Sequence, residues 1–320
     1  MDNFSNPPAP RRKLAELPDL EDGEDDSEFL NPVLFDNSTS GPLGVVDAHT
    51  GGPLIHENTA YADLTPLQVH ERNEAARLES MSDGPFIEEI APLDHLRAEY
   101  INNDNKLFVK QIDHLWQQGY QIRGTKGDGS CFYRSMAFAY VERLLEHPRR
   151  VGDALKTLED LQKKILSRNL YPDPEEYYEP LRSLIESIEP YATGRKLTTE
   201  ILLQKFQSDE SNWIVFFFRL ITSAQIRDDD SLWGFLDGQS PSDFCETQVE
   251  LPGVEADHIQ AEALCRALKL KTRIANLDGE FHVGDPITFA HLGEGDESVS
   301  ITLLFRSSLI TIASTKAWSL

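Results

Sequence analysis

Residues 127 to 135 read GDGSCFYRS, a lone cysteine set behind two glycines at the mouth of an apolar run. The run continues to residue 145 as CFYRSMAFAYVERLL, with Phe132, Met136, Tyr140 and Leu144 on one helical stripe and Tyr133, Ala137 and Val141 on the next. A helix that is apolar nearly all round belongs in the centre of a protein. Gly127 and Gly129 allow a tight backbone path just before it, which predicts Cys131 at the helix N-terminus. There, unpaired N–H groups and the macrodipole favour a thiolate. Acyl transfer builds negative charge first on sulfur and then on the attacked carbonyl oxygen, and the same N–H groups can hold the second charge. The residues alone leave two readings open: Cys131 as a nucleophile, or as a small core residue at a helix start. Asp128 is equally open as an ordinary turn residue, because Asp before Gly is frequent in turns.

Other chemistries fit this loop less well. GTKGDG at 124–129 lacks the Gly-Lys-Ser/Thr ending of a phosphate loop, and no third glycine completes a dinucleotide fingerprint. A zinc site built from Cys245, His258 and Cys265 has no CxxC pairing. Cys265 falls on the apolar face of its own helix and reads as packing.

Outward from the loop, apolar residues recur at helical spacing. They run Phe108, Ile112, Leu115 and Trp116, ended by Gly119; Leu155, Leu158, Leu161 and Ile165; and Tyr178, Leu181, Ile185 and Ile188. Two more faces follow at Trp213, Phe216, Phe217 and Leu220 and at Ile259, Ala263, Leu264 and Ala267. Near the C-terminus the pattern becomes strand-like: TRIANL at 272–277, a tight turn at Asp278 and Gly279 with EFHV returning, then SITLLF at 300–305. Helices first and a small sheet afterwards, without a βαβ rhythm, predict an α+β fold. Residues 1–60 form an acidic, Pro/Gly-rich tail that cannot bury enough apolar surface to offset the entropy of ordering. Residues 61–85 read as a linker in which Thr65-Pro66-Leu67-Gln68 opens a peripheral helix, and 86–306 as the folded domain.

The balance of 54 acidic against 30 basic residues, a formal net charge of -24, repels phosphate backbones and anionic bilayers. Nucleic acid and membrane are therefore not expected as partners. The strongest hydrophobic run, WIVFFF at 213–218, stops at Arg219, far short of a membrane span. Three scattered cysteines do not make a disulfide framework. A cytoplasmic or nuclear monomer is the expectation.

GDGSCFYRS resembles the active-site segment of the ovarian-tumour (OTU) cysteine proteases, and the wider chain resembles an otubain. The likeness runs through FIEEIAPLDHLRAEY, FFFRLITSAQIR and FCETQVELPGVEADHIQAEALCRAL to ITLLFR, about residues 86 to 306. The resemblance implies a papain-like fold with a small β-sheet between helical layers. It implies hydrolysis of the isopeptide bond that joins ubiquitin's C-terminal glycine to a lysine. Ubiquitin and ubiquitinated proteins are then the partners, with no metal or organic cofactor. On that pattern Cys131 attacks the carbonyl, Asp128 sits on the oxyanion loop, and Gly129 and Cys131 lend backbone N–H groups to the tetrahedral intermediate. Phe132, Tyr133 and EADHIQ at 255–260 line either a ubiquitin-tail channel or the core.

The same resemblance calls for a histidine after the last strand, as in Pro-Gly-His-Tyr-Asp, with the acid two positions on to orient it. Here ITLLFR is followed by SSLITIASTKAWSL, so Leu309 stands at the histidine's place and Thr311 at the aspartate's. No histidine follows His291 and no acidic residue follows Glu297. His258, His282 and His291 are the candidate substitutes, with His282 foremost because EFHV is predicted as a strand of the same sheet. The general base is thus unassigned, and weak or absent hydrolysis is expected; the alternative function is a non-catalytic ubiquitin-binding adaptor. Either the reading frame misrepresents the last exon or the chain is a true pseudoenzyme. The protease reading further requires the Cys131 sulfur to lie exposed in a groove beside main-chain amides.

Overall fold

The computed structural model describes residues 84–170, 174–189, 194, 196–295, 299–306 and 309–315. The tail at 1–60 and the helix start at Thr65 lie outside the described residues. In chain order the elements are β1 (Ala91–Pro92), α1 (Leu93–Tyr100), α2 (Leu107–Gln117), β2 (Tyr120–Arg123), α3 (Cys131–Glu146), α4 (Val151–Ser167) and α5 (Pro174–Glu186). They continue with α6 (Thr199–Phe206), α7 (Ser211–Asp228), α8 (Pro241–Gln248), α9 (His258–Leu268), β3 (Thr272–Asn276), β4 (Thr288–Leu292), β5 (Ile301–Arg306) and β6 (Leu309–Thr315).

The helix that opens at Cys131 is the centre of the molecule, and every residue from Cys131 to Val141 is buried. The six strands form one mixed sheet in the order β1-β2-β6-β5-β3-β4. Only β3 and β5 run parallel; the other pairs are antiparallel. Side chains alternate across it as strand geometry requires. Ile301, Leu303, Ile310 and Ile312 join the large core built on α3, α7 and their neighbours. Ala275, Leu304, Ala313 and Ile122 pack instead with Leu93 and Leu96 of α1 and Ile112 and Leu115 of α2. The result is the α+β arrangement, a small sheet between helical layers. β6 lies inside the sheet between β2 and β5, so the sheet extends past residue 306.

The expected hairpin return at EFHV does not form. The partner of β3 is β4, with Thr272 opposite Leu292 and Asn276 opposite Thr288. Polar groups of the turn are claimed by α2 instead. Gln111 accepts from the Gly279 amide at 3.0 Å and donates to Asp278 at 2.8 Å. Phe281 and Val283 are 78% and 94% exposed, so the segment has no face to bury. His282 is therefore not on a strand. Trp116, expected in the core, is exposed; it stands at the margin of the stripe of Gln111, Ile112 and Leu115 that α2 buries, one turn on from Ile112.

Candidate active site

The loop between β2 and α3 is held in a conformation that only its sequence permits. Gly129 has φ +73°, and a Cβ there would come within 1.9 Å of the Gly253 carbonyl oxygen. The position must be glycine both for the left-handed backbone and for the close approach of the loop leading to α9. Asp128 turns its carboxylate back on the loop: Oδ1 accepts from the Ser130 amide at 2.9 Å, and Oδ2 from Arg134 Nη2 at 2.7 Å.

Two buried arginines fasten this loop from behind. Arg134 of α3 also donates to Ser211 Oγ at 3.0 Å and Asn212 Oδ1 at 3.2 Å, and lies over the Phe86 ring. Arg219 of α7 donates through Nη2 to the Gly129 carbonyl, Ser130 Oγ and the Val254 carbonyl at 3.0, 3.0 and 2.9 Å. Through Nη1 it reaches the Val249 carbonyl at 3.0 Å, and its guanidinium stacks over Tyr133. Both arginines are 1% exposed. Charge this deep persists only where most of its donors are satisfied, and here both terminal nitrogens of each guanidinium are engaged while the Nε atoms have no partner among the described residues. With the Gly129 carbonyl drawn inward, the amides of Gly129 and Cys131 have no hydrogen-bond partner among the described residues. Beside the loop opens a cavity of about 700 Å³ lined by Asp128, Arg134, Asn212, Trp213, Arg219 and Gly253, but not by Cys131.

Cys131 begins α3 as expected, yet its surroundings correct the expectation of an exposed sulfur and a thiolate. The residue is 5% exposed. Burial pushes the thiol up to about 11, the nearby carboxylates of Glu255 and Asp128 push in the same direction, and the Ile310 main chain only partly offsets them. The physical reason is the apolar core in which Cys131 sits, with β6 packed against α3 and its Ile310 main chain acting on the sulfur as a hydrogen-bond donor.

No histidine is among the groups acting on that thiol. His258 is exposed at the first turn of α9. His282 Nε2 sits 2.9 Å from Asp278 Oδ2 in the turn after β3. His291 lies exposed on β4, at the far edge of the sheet from β6 with β5 and β3 between them. The main chain of Leu309 pairs with Arg306. Thr311 is 1% exposed, and its Oγ1 has no hydrogen-bond partner among the described residues. Phe132 and Tyr133 are core residues, 3% and 0% exposed. Cys245 and Cys265 are buried in different apolar clusters, away from the zinc arrangement weighed above, and all three cysteines are free.

Sequence reasoning missed the roles of Arg134 and Arg219, and it read Glu255 only as part of EADHIQ. Both arginines carried a signal: a single arginine inside each of two otherwise apolar helical runs, CFYRSMAFAY and WIVFFFRLI, has to find buried acceptors.

Residues 79–308 match the family model described as Peptidase C65 Otubain. The chain belongs to the otubain family. OVARIAN TUMOR DOMAIN-containing deubiquitinating enzyme 1 of Arabidopsis thaliana is 32% identical to it over 241 residues, 69% of this chain and 78% of that one. Ubiquitin thioesterase OTUB2 of Homo sapiens is 30% identical over 212 residues, 64% of this chain and 86% of the relative. Among solved structures, h/ceOTUB1-ubiquitin aldehyde-UBC13~Ub superposes with a TM-score of 0.67 at 23% identity, covering 78% of this chain and 97% of that one. That likeness shows the otubain fold. The otubain match ends at residue 308, immediately before β6 begins.

Proposed function

We propose that this otubain-family chain is a cysteine-type deubiquitinase, acting on the isopeptide bond between ubiquitin and a lysine, with Cys131 as nucleophile. The observation that carries the reading is the juxtaposition of a helix-initiating thiol with two unpartnered amides, Gly129 and Cys131, on a loop anchored by Asp128 and two buried arginines. In the reaction the sulfur adds to the carbonyl carbon of ubiquitin's C-terminal glycine and the carbonyl electron pair moves to oxygen. The two amides hold that oxygen, the lysine amine leaves with a proton, and water then releases the acyl group from sulfur. Asp128 acts on loop geometry rather than on the substrate.

Turnover of the chain as written is weak. Among the described residues no histidine stands by Cys131 to receive its proton or to return one to the leaving amine. General acid–base assistance of this kind is worth roughly 10²–10⁴-fold. The second reading, a ubiquitin-binding adaptor, draws on the same observation together with the buried thiol. In either role the partner is ubiquitin, and the free cysteines suit a reducing compartment, cytoplasmic or nuclear.

A ubiquitin derivative carrying a C-terminal electrophile separates the two. Covalent capture that is lost in Cys131→Ala supports the deubiquitinase; reversible binding without capture supports the adaptor. Absence of both overturns the ubiquitin assignment.

A further inference from the structure

We infer that Arg219 is a positioning residue that sets the peptide geometry of the oxyanion loop; the inference rests on the deubiquitinase reading. It starts from a feature that core packing does not require. A side chain in the middle of α7, flanked in sequence by Phe217, Phe218, Leu220 and Ile221, makes four hydrogen bonds to two loops and, among the described residues, none to its own helix. Two bonds, to the Gly129 carbonyl and Ser130 Oγ, go to the loop before Cys131; the other two, to the Val249 and Val254 carbonyls, go to the segment that leads to α9.

The Gly129 carbonyl is the decisive acceptor. A glycine at φ +73° has neighbouring conformations of similar energy in which the adjoining peptide is rotated, because no Cβ opposes the change. Rotation of the peptide between Gly129 and Ser130 would swing its carbonyl toward the place where a substrate oxyanion develops. Arg219 Nη2, 3.0 Å from that carbonyl oxygen, holds it on the buried side. The Ser130 amide, which points the opposite way from the same trans peptide, is held by Asp128 Oδ1, so both ends of that peptide are fixed and the amides on either side of it, Gly129 and Cys131, are left as the free donors among the described residues. Gly253, packed directly on Gly129, and Val254, bonded to Arg219, make the second loop the backstop of the first. Arg219 never meets the substrate; it decides which polar group of the loop faces it.

The test separates this role from a contribution to stability, and it does not need a general base. Ubiquitin aldehyde adds the Cys131 thiol across its carbonyl: the S–C bond forms, the carbonyl electron pair goes to oxygen, and the thiol proton ends on that oxygen. At equilibrium the gain in affinity of ubiquitin aldehyde over unmodified ubiquitin reports the held oxygen. Iodoacetamide alkylates the same sulfur by displacing iodide and develops no charge on a carbonyl oxygen. In Arg219→Lys the aldehyde gain should fall about ten-fold or more, while affinity for unmodified ubiquitin and the iodoacetamide rate at Cys131 stay within about two-fold.

An undiminished aldehyde gain in folded Arg219→Lys overturns the inference, as does a loss matched in the iodoacetamide rate. Should that variant not fold, Arg219→Gln, which withdraws the contact to the Gly129 carbonyl without burying an ammonium group, decides the matter: a selective fall in the aldehyde gain supports the role, and no fall overturns it. If the unmodified chain shows no aldehyde gain beyond that of Cys131→Ala, the deubiquitinase reading itself fails and takes the inference with it.

Discussion

Arg134, 1% exposed in the first turns of α3, holds the Asp128 carboxylate at 2.7 Å across the loop that contains the candidate oxyanion donors. The pair couples the stability of the central helix to the shape of the site. Asp128→Ala leaves the guanidinium with only Ser211 and Asn212 and uncaps the Ser130 amide. Removing one partner of such a pair should cost about 3 kcal/mol, toward the low end for buried ion pairs because two acceptors remain. Urea unfolding measures it, and a loss below about 1 kcal/mol would show that the pair does not anchor the loop.

Gly129 and Gly119 have similar positive φ, +73° and +80°, but different neighbours. A Cβ at Gly119 meets nothing within 4 Å, so Gly119→Ala should show only the left-handed strain, about 1 kcal/mol. In Gly129→Ala the added methyl collides with the Gly253 carbonyl as well, for a total of about 3 kcal/mol or more. Thermal denaturation of the two variants side by side isolates the collision; equal losses would refute it.

The Cys131 thiol, raised to about 11, is neutral at pH 7. Its alkylation rate should climb roughly ten-fold per pH unit between pH 8 and 10, where a free thiol near 8.5 would already be levelling off. A plateau below pH 9 in mass-spectrometric labelling would contradict the buried setting. The linked effect on stability has a definite sign. A folded value above the unfolded one means that the native state holds the proton more tightly, so the contribution is full below about pH 9 and is lost as pH rises toward 11. The urea midpoint should therefore fall between pH 8 and 10, and less so in Cys131→Ala.

Installing a base and its orienting acid as Ile310→His with Ile312→Asp places them on the face of β6 that joins the α3 core, where the Ile310 main chain already reaches the sulfur. Cleavage of a fluorogenic ubiquitin C-terminal amide should rise by roughly 10²-fold or more. No increase in a folded double variant would mean that the ending is not what limits this chain.

Some of this was legible in linear order. An apolar run without a polar face can only be a central helix, and glycines directly before a cysteine can only place that cysteine at a helix start; both follow from local periodicity and backbone sterics. The family pattern in GDGSCFYRS likewise needed no coordinates. What local pattern could not settle was anything that depends on which distant segment covers a residue. EFHV alternates like a strand, but Gln111, more than 160 residues earlier, takes the hydrogen bonds of its turn. Arg219 looks like the end of a hydrophobic run until four acceptors from two remote loops surround it. Above all, the sequence determined that Cys131 opens α3, whereas its exposure and proton affinity were decided by the remote segments packed around it, β6 among them, because desolvation depends on the whole shell of neighbours and not on the residue's own place in the chain.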